Sequence, residues 1–209
     1  MKKFIIAAAL FLLTNVASAA QIDTASYLGD GNLNYPVIIT DKPEVNAKIN
    51  SVIRAEVQRF VDAMEKQAQE LDVRIGDMSV DFEIPCNHTG GILSVVLTEF
   101  IYFEKAAHPS TLKRALNFNS DSGERLTVDS LSEVGGEENG EPKYSPKNVT
   151  RKLRAHVRMN KLFLYDEFTE LEKLPEDFYF DDDLNVHFIF QQYEIAPYAV
   201  GIIDLDAGK

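Results

Sequence analysis

The hydrophobic spacing of this chain changes period near residue 72, and that change demands both a helix and a sheet. Val45, Ile49, Val52, Ile53, Val57, Phe60, Val61, Met64 and Ala68 recur three and four residues apart, which gathers them on one face of an α-helix. Arg54, Glu56, Arg59, Asp62, Glu65 and Lys66 fill the remaining positions. The spacing predicts an amphipathic, core-facing helix to about Leu71. Asp41 is placed to cap its start, with Glu44 completing a capping box and Pro43 tolerated in the first turn. Met78, Val80, Phe82 and Ile84 then alternate with Ser79, Asp81 and Glu83, the pattern of a strand with one wet face. Turn residues at Asn87–Gly91 lead into Ile92–Glu104, apolar on both faces in its first half and therefore expected in the middle of a sheet.

Upstream, Leu33–Thr40 reads as a strand. Downstream, Leu112, Arg114, Leu116 and Phe118 alternate before the turn chemistry of "NSDSGE". Leu126–Leu131 reads as a short strand and helical turn, and Glu133–Pro142 as an acidic, glycine-rich loop. A second helix is expected from Ser145–Pro146, with Val149, Leu153, His156, Val157 and Asn160 on one side. Arg151, Lys152, Arg154, Arg158 and Lys161 make it the one basic segment. That basic face is read as a solvated surface; the other readings are neutralisation of the acidic loop and contact with an anionic ligand such as a wall polymer. The rest reads strand, turn at Asp181–Asp183, strand, bend at Pro197, final strand. "QQYEIAPYAVG" (Gln191–Gly201) is read as a bent strand at the sheet's end, with Ile195, Ala196, Ala199 and Val200 suited to burial. The order predicts an α+β protein of two sequential units, each a helix packed on an antiparallel sheet. The expected division is 1–20, 21–106 and 107–209.

The first of those segments is expected to be removed. Lys2 and Lys3, the apolar run Phe4–Leu13 and the small residues Ala17-Ser18-Ala19 have the form of a secretory signal cleaved after Ala19 or Ala20. The run is too short to span a bilayer. The expected location is periplasmic or extracellular, with no membrane span after cleavage. Without Lys2 and Lys3 the chain has 19 basic and 33 acidic residues, a balance of −14. Such a chain is repelled by nucleic acid and anionic membranes, suits a basic partner, and stays soluble. Cys86, the only cysteine, excludes an intramolecular disulfide and is expected to be a buried apolar residue.

Three pieces carry a resemblance: "TGGILSVVLTEFIYFE", "AAHPSTLKRALNFNSDSGERLTVDSL" and "LPEDFYFDDDLNVHFIFQQYEIAPYAVG". Together they resemble the RsiV-type domain of unknown function, most clearly over Ala107–Asp204. That domain forms the outer part of lysozyme-sensing anti-sigma factors and accompanies some peptidoglycan deacetylases, usually behind a smaller partner domain. Where the family commonly has a glycine pair before Ala-His, Lys105 and Ala106 stand here. The resemblance implies an exported binding or accessory module standing alone, with lysozyme or a cell-wall component as partner.

The chemistry-bearing residues are few. His88, His108, His156 and His187 show no metal-ligand spacing, and Asp181–Asp183 is too contiguous for an EF-hand, so no metal or cofactor is expected. No G-x-S-x-G element presents a serine. His108 is the best single candidate. Tyr193, Glu194 and Tyr198 are the polar groups of the C-terminal stretch able to face a ligand. Three functions are compatible with these residues: a non-catalytic envelope binding module, a cell-wall hydrolase with His108 and Glu194 as acid–base partners, or a structural, oligomerising envelope protein. The first is preferred.

Overall fold

A computed structural model describes residues 19–134, 136–138 and 140–208. Apart from Ala19 and Ala20, the expected leader lies outside the described residues. The chain begins with an antiparallel ribbon, β1 (Gln21–Ser26) and β2 (Asn34–Ile39), followed by α1 (Pro43–Leu71). Next come β3 (Ile75–Asn87), β4 (Ile92–Phe103), β5 (Ser110–Asn119) and β6 (Arg125–Leu126), which form one antiparallel sheet in that order. Helix α2 (Val128–Val134) and a short hairpin, β7 (Glu137–Glu138) and β8 (Glu141–Pro142), lead to α3 (Pro146–Met159). A second antiparallel sheet holds β9 (Phe178–Phe180), β10 (Val186–Phe190) and β11 (Ile203–Asp206), with β10 in the centre. The architecture is α+β on antiparallel sheets, as the change of period requires.

Helix α1 buries the stripe its spacing dictates: Val45, Ile49, Ile53, Val57, Phe60 and Val61 are all buried. They pack on Leu93, Val95, Leu97 and Ile101 of β4 and on Leu116 and Phe118 of β5. The expected capping box does not form. The cap residue is Lys42, with no side-chain bond, and Asn46 instead ties the first turn of the helix back to the end of the preceding strand. Its side-chain oxygen accepts from the Thr40 amide at 2.9 Å and hydroxyl at 2.7 Å, while its amide donates to the Thr40 carbonyl. One turn on, Asn50 binds both backbone groups of Ile38, at 2.8 and 2.9 Å. Residues four apart share a helix face, so the two asparagines grip the edge of β2 as a neighbouring strand would.

The other face of the central sheet meets the second sheet through a polar pair. Ser94 and Asn117 are register partners on β4 and β5, and both are buried. The Ser94 hydroxyl donates to Asn117 Oδ1 at 2.7 Å and accepts from the Phe180 amide at 3.1 Å, while Asn117 Nδ2 donates to the Phe178 carbonyl at 2.6 Å. Beside them, Val96, Ala115 and Ile189 form a small apolar contact. A larger core lies beyond, where Val149 and Leu153 of α3 pack with Phe178, Phe188 and Phe190. Cys86 is buried and unpaired, as expected; burial pushes its thiol pKa up. Residue 107 lies in the connection between β4 and β5, which pair over ten positions.

Removing Asn117 takes the partner from the buried Phe178 carbonyl and the acceptor from the Ser94 hydroxyl. Asn117→Ala is expected to lower stability by about 1–3 kcal/mol, measured by urea unfolding. An unchanged midpoint and slope would show that the polar pair contributes nothing.

Candidate functional site

The stretch after β10 is not a strand. Pairing ends at Phe190; a turn at Gln192–Glu194, a bend and a 3-10 turn at Tyr198–Val200 come next. The reason is an exchange of side chains for backbone. Gln191 Oε1 accepts from the Lys113 amide at 3.0 Å and its Nε2 donates to the Lys113 carbonyl at 2.6 Å. Gln192 Oε1 accepts from the Thr111 amide at 3.0 Å. The backbone, released from the ladder, folds back: the Glu194 amide donates to the Gln191 carbonyl, and the Glu194 carboxylate accepts from the Gln191 amide at 2.7 Å. Tyr193 sits at the apex with φ +66, a left-handed conformation that costs a non-glycine residue about 1–2 kcal/mol. Ile195 and Ala196 are buried as expected, but Ala199 is exposed because the 3-10 turn points it outward.

This loop lies over the start of β5 and brings three of the four sequence candidates together. The His108 ring stacks on Tyr198, with centroids 3.9 Å apart and planes 26° apart. Its Nε2 lies 3.0 Å from the Tyr193 hydroxyl and its Nδ1 2.9 Å from the Pro109 carbonyl. A carbonyl only accepts, so Nδ1 carries a proton and donates it to Pro109. The Tyr198 hydroxyl donates to the same Pro109 carbonyl at 3.1 Å. Tyr193 and Tyr198 have centroids 5.6 Å apart. The result is a three-ring platform, with Tyr193 54% exposed at its outer end. Glu194 points elsewhere. With Arg114, Lys173 and Asp177 it lines a cleft of about 220 Å³.

Beneath that cleft lies a charged cluster that the candidate residues omit. Glu99 of β4 is fully buried under α1, and neither carboxylate oxygen has a hydrogen-bond partner. Arg59 and Arg114 each lie 3.9 Å from it. Glu56 bonds Arg59 at 3.0 Å, and Arg114 bonds Asp177 at 2.9 Å. Asp177 also accepts from Gln191 and from the Ala115 amide, so the buried acid connects to the loop clamp. Burial, reinforced by the charge of Glu56, raises the Glu99 pKa to about 7 against the pull of Arg59 and Arg114. The signal was present in the sequence. Glu99 shares a strand face with Leu97 and Ile101, where period-two spacing puts only core residues.

The aspartates at 181–183 form a turn. Asp181 accepts from the amides of Asp183 and Asn185 and from the Asn185 side chain. His187 bridges Asp181 at 3.3 Å and Asp204 at 3.0 Å. No metal-ligand cluster occurs among the described residues, and no helix there is long and apolar enough to cross a membrane.

Residues 133–206 match the family model described as "Protein of unknown function (DUF3298)". This part of the chain is similar to the DUF3298 family. It supplies Tyr193 and Tyr198 to the platform, while His108 comes from the residues before it. The chain is also similar to the crystal structures of two DUF3298-family proteins. One, from Bacteroides fragilis NCTC 9343, is 16% identical with a TM-score of 0.53, covering 90% of this chain and 87% of that one. The other, from Pseudomonas aeruginosa PAO1, is 14% identical with a TM-score of 0.58, covering 90% and 88%. At these identities the likeness is one of fold. It extends well upstream of residues 133–206. No curated protein matches.

The raised Glu99 pKa has a direction that can be measured. Below the ordinary value of 4.5 the group is protonated whether the chain is folded or not. As pH rises from there through about 7, the unfolded chain releases a proton that the folded one keeps, and stability is lost. Glu99→Gln is therefore expected to be about 1–3 kcal/mol more stable than the parent at pH 8 and nearly equal at pH 4. Denaturant melts at the two pH values test this. A variant destabilised equally at both would mean the carboxylate is charged and paired throughout.

Proposed function

We propose that the protein is an exported, non-catalytic binding module of the bacterial cell envelope. It is an RsiV-type domain behind its smaller partner domain, and it contacts a basic protein of the lysozyme kind through the His108–Tyr193–Tyr198 platform. The observation that carries this is the exposed Tyr193, held at a costly backbone angle on a rigid, stacked base. Tyrosines preorganised in this way give contact area at little entropic cost, and aromatic faces attract lysine and arginine. The −14 balance favours a basic partner at long range. The hydrolase reading fits less well. Both His108 nitrogens are engaged, and the Glu194 carboxylate bonds its own loop backbone rather than His108.

Export is supported by the leader and by the packing at its boundary with the fold. Asn87 binds both the amide and the carbonyl of Ala20 at 3.0 Å, and Ala20 is buried. Ala20 thus belongs to the fold, which favours cleavage after Ala19. Intact mass of the protein recovered from the periplasm or medium is expected to give a chain starting at Ala20. Recovery of the full-length chain from the cytoplasm alone would contradict export.

Calorimetric titration with lysozyme at low salt tests the partner. The expected result is binding that Tyr193→Ala weakens about tenfold or more, as for a tyrosine hot spot, with the melting temperature retained. Absence of binding at low salt removes lysozyme. Binding unchanged in Tyr193→Ala removes the platform. Release of reducing ends from peptidoglycan would restore the hydrolase.

A further inference from the structure

A second surface, independent of the aromatic platform, lies where α3 ends. The basic face of α3 divides in two. At the N-terminal end Lys147 pairs with Glu141 at 2.6 Å, and Arg151 and Lys152 pair with Glu138 at 2.5 and 3.1 Å. The acidic hairpin there is neutralised by the helix. Further on, Arg154 donates to the Thr169 carbonyl and lies over the Phe168 ring, whereas Arg158 and Lys161 are exposed. Neither Arg158 nor Lys161 makes an ion pair among the described residues.

The helix stops in a double closure. The Leu162 amide donates to the Val157 carbonyl at 2.9 Å and the Lys161 amide to the Arg158 carbonyl at 3.4 Å. This is the pattern that places a left-handed residue just past the helix end, usually glycine. Here that residue is Lys161, at φ +54. A strained lysine in a glycine position keeps a charge, next in the chain to Leu162, that a glycine would lack. Around it stand two large apolar side chains that the core does not use: Met159 is 76% exposed and Phe163 57%. Phe163, Arg154 and Arg158 line a groove of about 600 Å³ whose floor includes Val157 and Leu162; Asp166 is its one acidic lining residue.

We propose that this groove docks an acidic polypeptide segment that carries an apolar side chain. Carboxylates pair with Arg158 and Lys161 while the apolar group rests on Phe163 and the groove floor. The chain's overall negative charge does not forbid this, because physiological salt screens beyond about 8 Å and the local charge decides at contact. The docking of a basic partner at the aromatic platform is a separate matter, carried by other residues.

The probe is a labelled twelve-residue peptide of aspartate and glutamate around a central leucine and phenylalanine, followed by fluorescence anisotropy with the mature chain. A peptide with lysines in place of the acids and vesicles of phosphatidylglycerol are run beside it. The expected result is binding of the acidic peptide alone that weakens with salt. It should fall about tenfold in the double variant Arg158→Ala, Lys161→Gly, and similarly in Phe163→Ser, in line with the loss of two exposed charges or one anchor. Lys161→Gly removes strain as well as charge, so loss of binding with an unchanged or raised melting temperature cannot be misfolding. Four outcomes overturn the proposal. They are equal binding of the lysine peptide, acidic-peptide binding that is absent or indifferent to the variants, binding to vesicles alone, and a dimer in sedimentation that the variants dissolve, which would make a second copy the occupant.

Discussion

Between Thr111 and Ala115 the outer edge of β5 faces no strand, and side chains bind its backbone instead. Gln192 takes the Thr111 amide, Gln191 both groups of Lys113, Asp177 the Ala115 amide, and Arg125 the Ala115 carbonyl. An open edge invites pairing with another chain, and a buried, unpaired amide or carbonyl costs about as much as a lost hydrogen bond. Four residues from three separate segments meet both demands. In doing so they fix where those segments lie. The aromatic platform exists because Gln191 and Gln192 hold their loop against β5, and the Arg114–Asp177 pair exists because Asp177 is anchored there.

The same device recurs at two other edges. Asn46 and Asn50 hold β2 to α1, and Asn87 holds Ala20. Inside, Ser94 and Asn117 do for β9 what amides do for β5. Primary amides suit these places because each carries both a donor and an acceptor and can copy a strand's pairing without a strand's length. The chain can therefore pack short sheets against one another with few connecting ladders. Into this frame Glu99 brings a large electrostatic cost, a carboxylate without hydrogen bonds between two guanidinium groups at 3.9 Å. Its protonation near neutral pH relieves that cost.

Where one period governs a segment, the fold was legible. The stripe of α1, the β3–β4 hairpin, the central place of β4 and the start of α3 at Ser145–Pro146 all arise from spacing and turn chemistry. The misread segments are those in which side chains replace backbone. Glutamines at 191 and 192 leave no periodic trace, so Gln191–Gly201 read as a bent strand although it is a looped-back turn. The α1 start was read one residue early, since Lys42 rather than Asp41 stands at the cap. At the candidate site, composition of the loop pointed to Tyr193 and Tyr198, and the Ala-His-Pro break pointed to His108. Their meeting across 85 residues of chain depends on the β5 edge, which no local pattern encodes. Glu194 followed the turn rather than the platform for want of the same information.

The claim that side chains close this edge is tested most directly by amide hydrogen exchange. In the parent chain the amides of Thr111, Lys113 and Ala115 are expected to exchange slowly, like those inside the β4–β5 ladder. In Gln191→Ala, Gln192→Ala the first two should become fast while Ala115, held by Asp177, stays protected. Fast exchange of all three in the parent, or no change in the double variant, would contradict the account.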